Sequence, residues 1–262
     1  MRATYRNKGN KDYWKARWEN ISIDPPKLNP DVYPLKYCIE TIKKKEAFIL
    51  EAGCGAGRIL NYYHSLGYKI KGIDFIESVI DRLKKFDSSL DVEQGDIAEL
   101  QYQDATFDYI LAFGLYHNLE YNVDDALRES FRVLKNQGTL CASFRADNIQ
   151  NFLIDSEARK KSNSSVDSEL FFHKMNYTVR DLKKLITGSG FRIISIEPVV
   201  NMPLLYKFRF FRDRGHKIFN EPLGRQEGYR LSKFGKYIQM LLMHVLPNVF
   251  CNVYVVKAIK ER

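Results

Sequence analysis

The sequence predicts an α/β fold: a doubly wound, mostly parallel sheet with helices on both faces. Three observations carry that prediction. Short apolar runs alternate with helical patterns from residue 48 onward, as they do when parallel strands are joined by right-handed crossover helices. The first run, Ile49 to Ala52, leads into Gly53-Cys54-Gly55-Ala56-Gly57, a turn of side-chain-free positions that hands over to a helix. Two later runs end in carboxylates, Asp74 and Asp96, at the strand ends where open α/β sheets bind their ligands.

The elements follow in order. Tyr13-Trp14-Lys15-Ala16-Arg17-Trp18 starts a helix in a polar N-terminal stretch, and its aromatics suit either core anchoring or the covering of a site. Pro25-Pro26 and Pro30 mark turns, and Tyr33 to Lys45 reads as a helix with Leu35, Ile39 and Ile42 on one face. After the first strand come a helix over Arg58 to Leu66, a strand over Lys69 to Ile76 and a helix over Ser78 to Phe86. Val92 to Ile97 and Phe107 to Gly114 are the next strands, Asp124 to Leu134 a helix, and Gly138 to Phe144 the fifth strand. Thr178-Val179-Arg180-Asp181 has capping-box spacing, with Asp in place of Glu, and Gly188-Ser189-Gly190 stops the helix it opens. Phe191 to Val199 is a sixth strand, and Asn252 to Ile259 is β-rich.

Two segments fall outside this alternation and read as a substrate lid. Arg145 to Asn176 includes a polar stretch, Lys160 to Ser165, expected to be mobile; Asn201 to Ser232 is rich in Arg and Phe. Lys233 to Val249 suits a core helix or an interfacial one, and the core helix is the expectation.

Composition bounds the rest. A chain of 262 residues suits one domain with insertions. No secretory leader opens it, no apolar run reaches spanning length, and Cys38, Cys54, Cys141 and Cys251 lack metal-ligand spacing; a reducing, cytoplasmic setting without a metal is the expectation. Charge is uneven. Residues 1–48 carry net +5, 49–200 net −4 and 201–262 net +8, within a total of +9. Basic flanks around an acidic centre favour an anionic substrate or surface, unless they merely solubilise exposed faces.

The glycine turn is neither G-x-G-x-x-G, because Arg58 stands where the third glycine belongs, nor a phosphate-gripping G-x-x-x-x-G-K-[ST] loop. It is E-x-G-x-G-x-G, from Glu51 to Gly57. Together with Gly72-Ile73-Asp74, Gly95-Asp96-Ile97, Phe107 to Gly114 and Leu134-Lys135-x-x-Gly138-x-Leu140, it resembles the class I S-adenosylmethionine-dependent methyltransferases over roughly residues 48 to 145, with weaker support to 199.

The resemblance implies a Rossmann-like sheet of seven strands, the last one antiparallel at Asn252 to Ile259, and S-adenosylmethionine as cofactor. Residues 1–47 would form a helical cap, with Tyr13 and Arg17 on a helix closing the site, and 48–262 the methyltransferase domain. Glu51 would accept from the cofactor's amino group, or else stabilise the glycine turn. Gly53, Cys54, Gly55 and Gly57 would shape the turn. Asp74 would accept from the ribose hydroxyls, with Phe75 and Ile76 beside it. Asp96 would accept from the adenine amino group, and Ile97 would pack the ring. Phe113, near the end of the fourth strand, would complete the cofactor-binding set.

His117, just after the fourth strand, is the candidate base and substrate contact, because imidazole titrates near neutrality; a structural hydrogen bond is the alternative. His173, Arg209 and Arg212 are further substrate candidates, and Asp108 is expected to be structural. The function expected is methyl transfer to an O or N atom of a small or medium-sized acceptor, such as a sugar, a lipid-linked intermediate or another anion. Two alternatives stand beside it: an RNA methyltransferase or nucleic-acid binder using the basic flanks, and a non-catalytic S-adenosylmethionine-binding regulator. With no RNA-binding module visible, neither nucleic acid nor a membrane surface is the expected partner.

Overall fold

The computed structural model describes residues 1–21, 23, 29–162, 169–215, 218 and 228–261. In chain order the elements are β1 (Arg2–Arg6), α1 (Asn10–Glu19), α2 (Leu35–Thr41), β2 (Phe48–Ala52), α3 (Arg58–Ser65), β3 (Lys69–Asp74), α4 (Glu77–Phe86), β4 (Val92–Gln94), β5 (Phe107–Ala112), α5 (Val123–Val133), β6 (Leu134–Arg145), α6 (Ile149–Ser162), β7 (Phe171–Asn176), α7 (Val179–Gly188), β8 (Arg192–Val199), α8 (Lys233–Val245), α9 (Pro247–Phe250) and β9 (Val253–Ile259).

Seven strands form one sheet in the order β4-β3-β2-β5-β6-β9-β8. Pairing is parallel from β4 to β6, and β9 runs antiparallel to both β6 and β8. The expected sheet, including its antiparallel last strand, is therefore present. β2 and β5 lie side by side in mid-sheet although β3 and β4 separate them in the chain. Ligands of open α/β sheets bind where strand order reverses in this way.

The central strands are buried on both faces, which is why they read as continuous apolar runs. Ile49 and Leu111 face one layer with Tyr37, Leu60 and Val79, whereas Leu50 and Ile110 face the other with Leu127 and Leu182. α3 and α4 cover the first face, through Ile59, Leu60 and Tyr63 and through Val79, Ile80 and Leu83. α5 and α7 cover the second. Each such fully buried Leu or Ile stabilises the fold by about 1.5–3 kcal/mol. α7 opens with the capping box: Asp181 N–H donates to Thr178 Oγ1 (3.2 Å) and Thr178 N–H donates to Asp181 Oδ2 (3.0 Å). Asp108 is structural, accepting from Phe48 N–H (2.9 Å) and from Lys135 Nζ (2.8 Å).

Several expectations need correction. The N-terminal segment is not helical throughout: β1 pairs antiparallel with β7, tying residues 2–6 to the first inserted segment. Local pattern could not show this, because a short strand such as Arg-Ala-Thr-Tyr-Arg is defined by its partner. β6 starts at Leu134 rather than Gly138. α8 is a core helix on one side only: Ile238, Leu242 and Met243 pack on apolar clusters, whereas Phe234, Tyr237, Met240, Leu241 and Val245 stay exposed. Of the stretch expected to be mobile, residues 163–165 lie outside the described residues, as do Pro25 and Pro26.

Candidate active site

The glycine turn is held from both sides. Gly53 and Cys54 N–H donate to Ile73 O (2.8 and 2.9 Å), fastening the end of β2 to β3. Gly53, Gly55 and Gly57 all have positive φ (70°, 51° and 71°), the region that L side chains avoid. Close approach adds a second reason at two of them. A Cβ on Gly55 would stand 2.5 Å from the Trp18 ring, and one on Gly57 2.6 Å from Leu83 Cδ2. α1 is thus laid directly over the turn. Trp14 and Trp18 stack at 5.5 Å, and the Arg82 guanidinium holds the end of α1 through the carbonyls of Trp18 and Ile21.

Asp74 is a clamp as well as a strand-end acid. Its Oδ2 accepts from Gly55 N–H (2.9 Å) and its Oδ1 from Ile76 N–H (3.0 Å). Burial pushes its carboxyl above the usual carboxylate range, against those N–H bonds. Burial pushes Glu51 up as well, to about 8, and the charge of Asp74 adds to the shift. Glu51 Oε2 is buried without a hydrogen-bond partner among the described residues, an arrangement that calls for a donor from a ligand. Asp96 stays exposed, with Oδ1 accepting from Ala98 N–H (2.9 Å).

These groups line one cavity of about 1380 Å³. Tyr13, Arg17, Glu51, Gly53, Cys54, Asp74, Phe75, Ile76, Asp96, Ile97, Phe113, His117 and His173 all reach its wall. Gly55 and Gly57 do not; they shape the turn behind it. Beside the turn, Glu51, Asp74 and Asp96 with the flat apolar surfaces of Trp14, Phe75 and Phe113 suit an adenosyl ligand carrying an amino group and a sulfonium better than a pyrophosphate, so these residues fit S-adenosylmethionine.

The opposite wall comes from distant segments. His117 Nδ1 lies 3.4 Å from Ser143 O, a long contact that leaves the half-buried ring at the cavity wall. His173, on β7, lies with its ring 6.4 Å from Tyr13, and Tyr13 in turn carries the Arg6 guanidinium 3.6 Å above it. Burial, together with Lys174, Arg6 and Arg145, depresses His173 to about 2, so it is neutral near pH 7. Arg145 is buried at the end of β6, donating to Asn176 Oδ1 (2.6 Å) and to Asp155 Oδ1 (2.5 Å). Arg2 donates to the same Asp155 (2.9 Å) and to Asp147 (2.9 Å).

Arg209 and Arg212 are not brought to this wall. The Arg212 guanidinium lies 4.7 Å over the Tyr206 ring and donates to Tyr206 O (2.6 Å), bracing its own loop. The second insertion contributes Asn201, Met202 and Tyr229 instead. Sequence reasoning missed Arg2, Arg6, Arg145, Asp155 and Tyr33. A signal existed only for Arg145, a charge that ends the apolar run Leu140 to Phe144 at the ligand-binding edge of the sheet.

Fold and berth together define an open α/β domain with a ligand site where its strand order reverses. Comparison makes the class specific: residues 50–142 match the methyltransferase-domain family. A probable S-adenosylmethionine-dependent methyltransferase of Mycolicibacterium smegmatis is 25% identical over 146 residues, covering 55% of this chain and 52% of the relative. Demethylmenaquinone methyltransferase of Staphylococcus aureus is 31% identical over 147 residues, covering 50% and 60%. The chain thus spans about half to three fifths of these relatives' length. A chain solved in complex with the Haloferax volcanii Trm112 methyltransferase activator shares the fold, with a TM-score of 0.61 at 11% identity and coverage of 97% and 99%. Residues 50–142 thus carry the match to the methyltransferase-domain family, on a fold shared with solved S-adenosylmethionine-dependent methyltransferases, and the cofactor this match implies is S-adenosylmethionine.

Proposed function

We propose that the chain transfers a methyl group from S-adenosylmethionine to an O or N atom of a small or medium-sized anionic acceptor, such as a sugar, a lipid-linked intermediate or another acid. One observation carries the reading: a single cavity runs from the glycine turn to a wall that includes Arg2, Arg6, Arg145 and Lys174. Its volume of about 1380 Å³ exceeds the roughly 300–1,000 Å³ of a single-ligand pocket, so two ligands fit end to end. The relative whose name gives demethylmenaquinone as its substrate supports an acceptor that is not a macromolecule. Four free, buried thiols suit a reducing cytoplasm.

Bound S-adenosylmethionine supplies an electrophilic methyl group. Glu51, Asp74 and Asp96 hold its polar atoms, while Phe75, Ile97 and Phe113 flank them. Tyr13, Trp14 and Trp18, on α1, exclude water from above the turn. Residues 1–47 act as a cap on the domain formed by 48–262, with segments 145–176 and 201–232 forming the acceptor side. His117 accepts the proton released when a hydroxyl acceptor is methylated, and the arginines orient the acceptor's anionic group. His173, held neutral, is available as a hydrogen-bond partner rather than as a charge.

The test is incubation with isotope-labelled cofactor and fractionated cell extract. Label in a small-molecule, sugar or lipid fraction is the expected result. Label in RNA would establish the nucleic-acid alternative. Tight cofactor binding with no labelled fraction would establish the regulator.

A further inference from the structure

α8 packs one apolar side on the domain, through Ile238, Leu242 and Met243, and leaves a second apolar side exposed. Between the inward residues lies Gln239, whose side-chain amide has no hydrogen-bond partner among the described residues. The outward positions of α8 carry Phe234, Tyr237, Met240, Leu241 and Val245. Beside them the turn before Arg212 presents Phe210, which is 77% exposed, with its ring 6.1 Å from that of Phe234. An apolar surface of this kind on a folded domain marks an interface.

Charge decides what covers it. Residues 201–250 contain nine Lys and Arg against three Asp and Glu. Arg209, Lys233 and Lys236, within two residues of Phe210 or Phe234 in the chain, and Arg214 are exposed, and Asp213 is the one acid among the described residues of this segment. A second copy of the chain would bring like charge against like. A nucleic acid would leave Met240, Leu241 and Val245 without a role. Apolar side chains ringed by cations match a surface that is apolar inside and anionic outside.

We propose that α8 and the Phe208–Phe211 turn dock the protein on an anionic lipid bilayer, seating Phe210, Phe234 and the outward side chains of α8 among the headgroups, with the cations on the lipid phosphates. This lobe also supplies the cavity with Tyr229, which belongs to the same apolar cluster as Leu205, Tyr206 and Leu231. Docking therefore holds the acceptor side near the headgroup layer. The inference does not depend on methyl transfer, and neither does its test.

The experiment is co-sedimentation of the full chain with vesicles of phosphatidylcholine alone and of phosphatidylcholine mixed with phosphatidylglycerol. Binding to the anionic vesicles is expected, weakened about tenfold by roughly 0.5 M salt. The pair Phe210→Ser and Phe234→Ser, and separately Lys233→Glu with Lys236→Glu, should each lower partitioning about tenfold with unchanged melting temperature and cofactor affinity. Wild-type chain that ignores both vesicle types, or binds both equally, overturns the proposal. So does a concentration-dependent dimer that the Phe pair abolishes without any vesicle binding. Because the wild-type comparison decides by itself, a variant that fails to fold does not protect the idea.

Discussion

The two ends of the cavity are built by different means. At the cofactor end, consecutive backbone does most of the work: residues 51 to 57 turn through three left-handed glycines, and Asp74 ties the turn to the next strand. At the opposite end, proposed to take the acceptor, side chains converge from segments far apart in the chain: Arg2 on β1, His117 after β5, Arg145 on β6, Asp155 on α6 and His173 on β7. A backbone berth tolerates little change, because its shape is the site. A side-chain wall can be rebuilt residue by residue, which suits the end that distinguishes one acceptor from another.

If that division holds, substitutions at the two ends should separate turnover from cofactor affinity. His117→Ala should lower kcat on the true acceptor by about 100-fold or more while leaving the cofactor dissociation constant nearly unchanged. Equal turnover would assign His117 to packing. Asp74→Ala should do the reverse, weakening cofactor binding by about 30-fold. It removes a ligand acceptor and releases Gly55 N–H, and calorimetry reads the change; unaltered affinity would break the assignment.

Smaller effects test how the cofactor end is built. Gly57→Ala should destabilise the fold by about 2 kcal/mol, because a new Cβ at φ 71° would strike Leu83, which is fully buried and has nowhere to retreat. Denaturant unfolding measures this, and a neutral result would mean that α4 yields. Glu51 offers a pH test. Its folded pKa is raised to about 8, so the stability linked to its proton is full below the ordinary range near 4.3 and is lost as pH rises through about 8. Glu51→Gln, which imitates the protonated form, should therefore gain a few degrees of melting temperature over wild type between about pH 5 and pH 8.5. A constant difference across that range would place the charge of Glu51 in contact with a donor.

How much of this was legible beforehand follows the same division. β2, β3 and β5 announced themselves, because strands buried on both faces must be apolar throughout. The glycines and Asp74 announced the turn, because few residue types serve there. The Thr178 box was visible from spacing alone. The β1–β7 pair was not visible, since neither strand has a pattern of its own. Arg209 and Arg212 look like an anion grip in sequence; in the fold, Arg212 braces Tyr206 and neither reaches the cavity. That α8 packs on one side only could not be read beforehand, because helical periodicity shows which residues share a face but not which face meets the core.

The amino-acid order by itself determined the doubly wound sheet and the glycine turn with its neighbouring acids, whereas the direction of the antiparallel closing strand was implied only by the family resemblance. Sheet and turn depend on contacts within a strand, a turn or a crossover, where residue type and spacing are the physical cause. Tertiary structure alone decided that Trp18 covers Gly55, that Arg145 joins His173 at the far wall, and that α8 turns its aromatics outward. Each of those depends on which distant segments meet, and the energy of that meeting belongs to no single stretch of the chain.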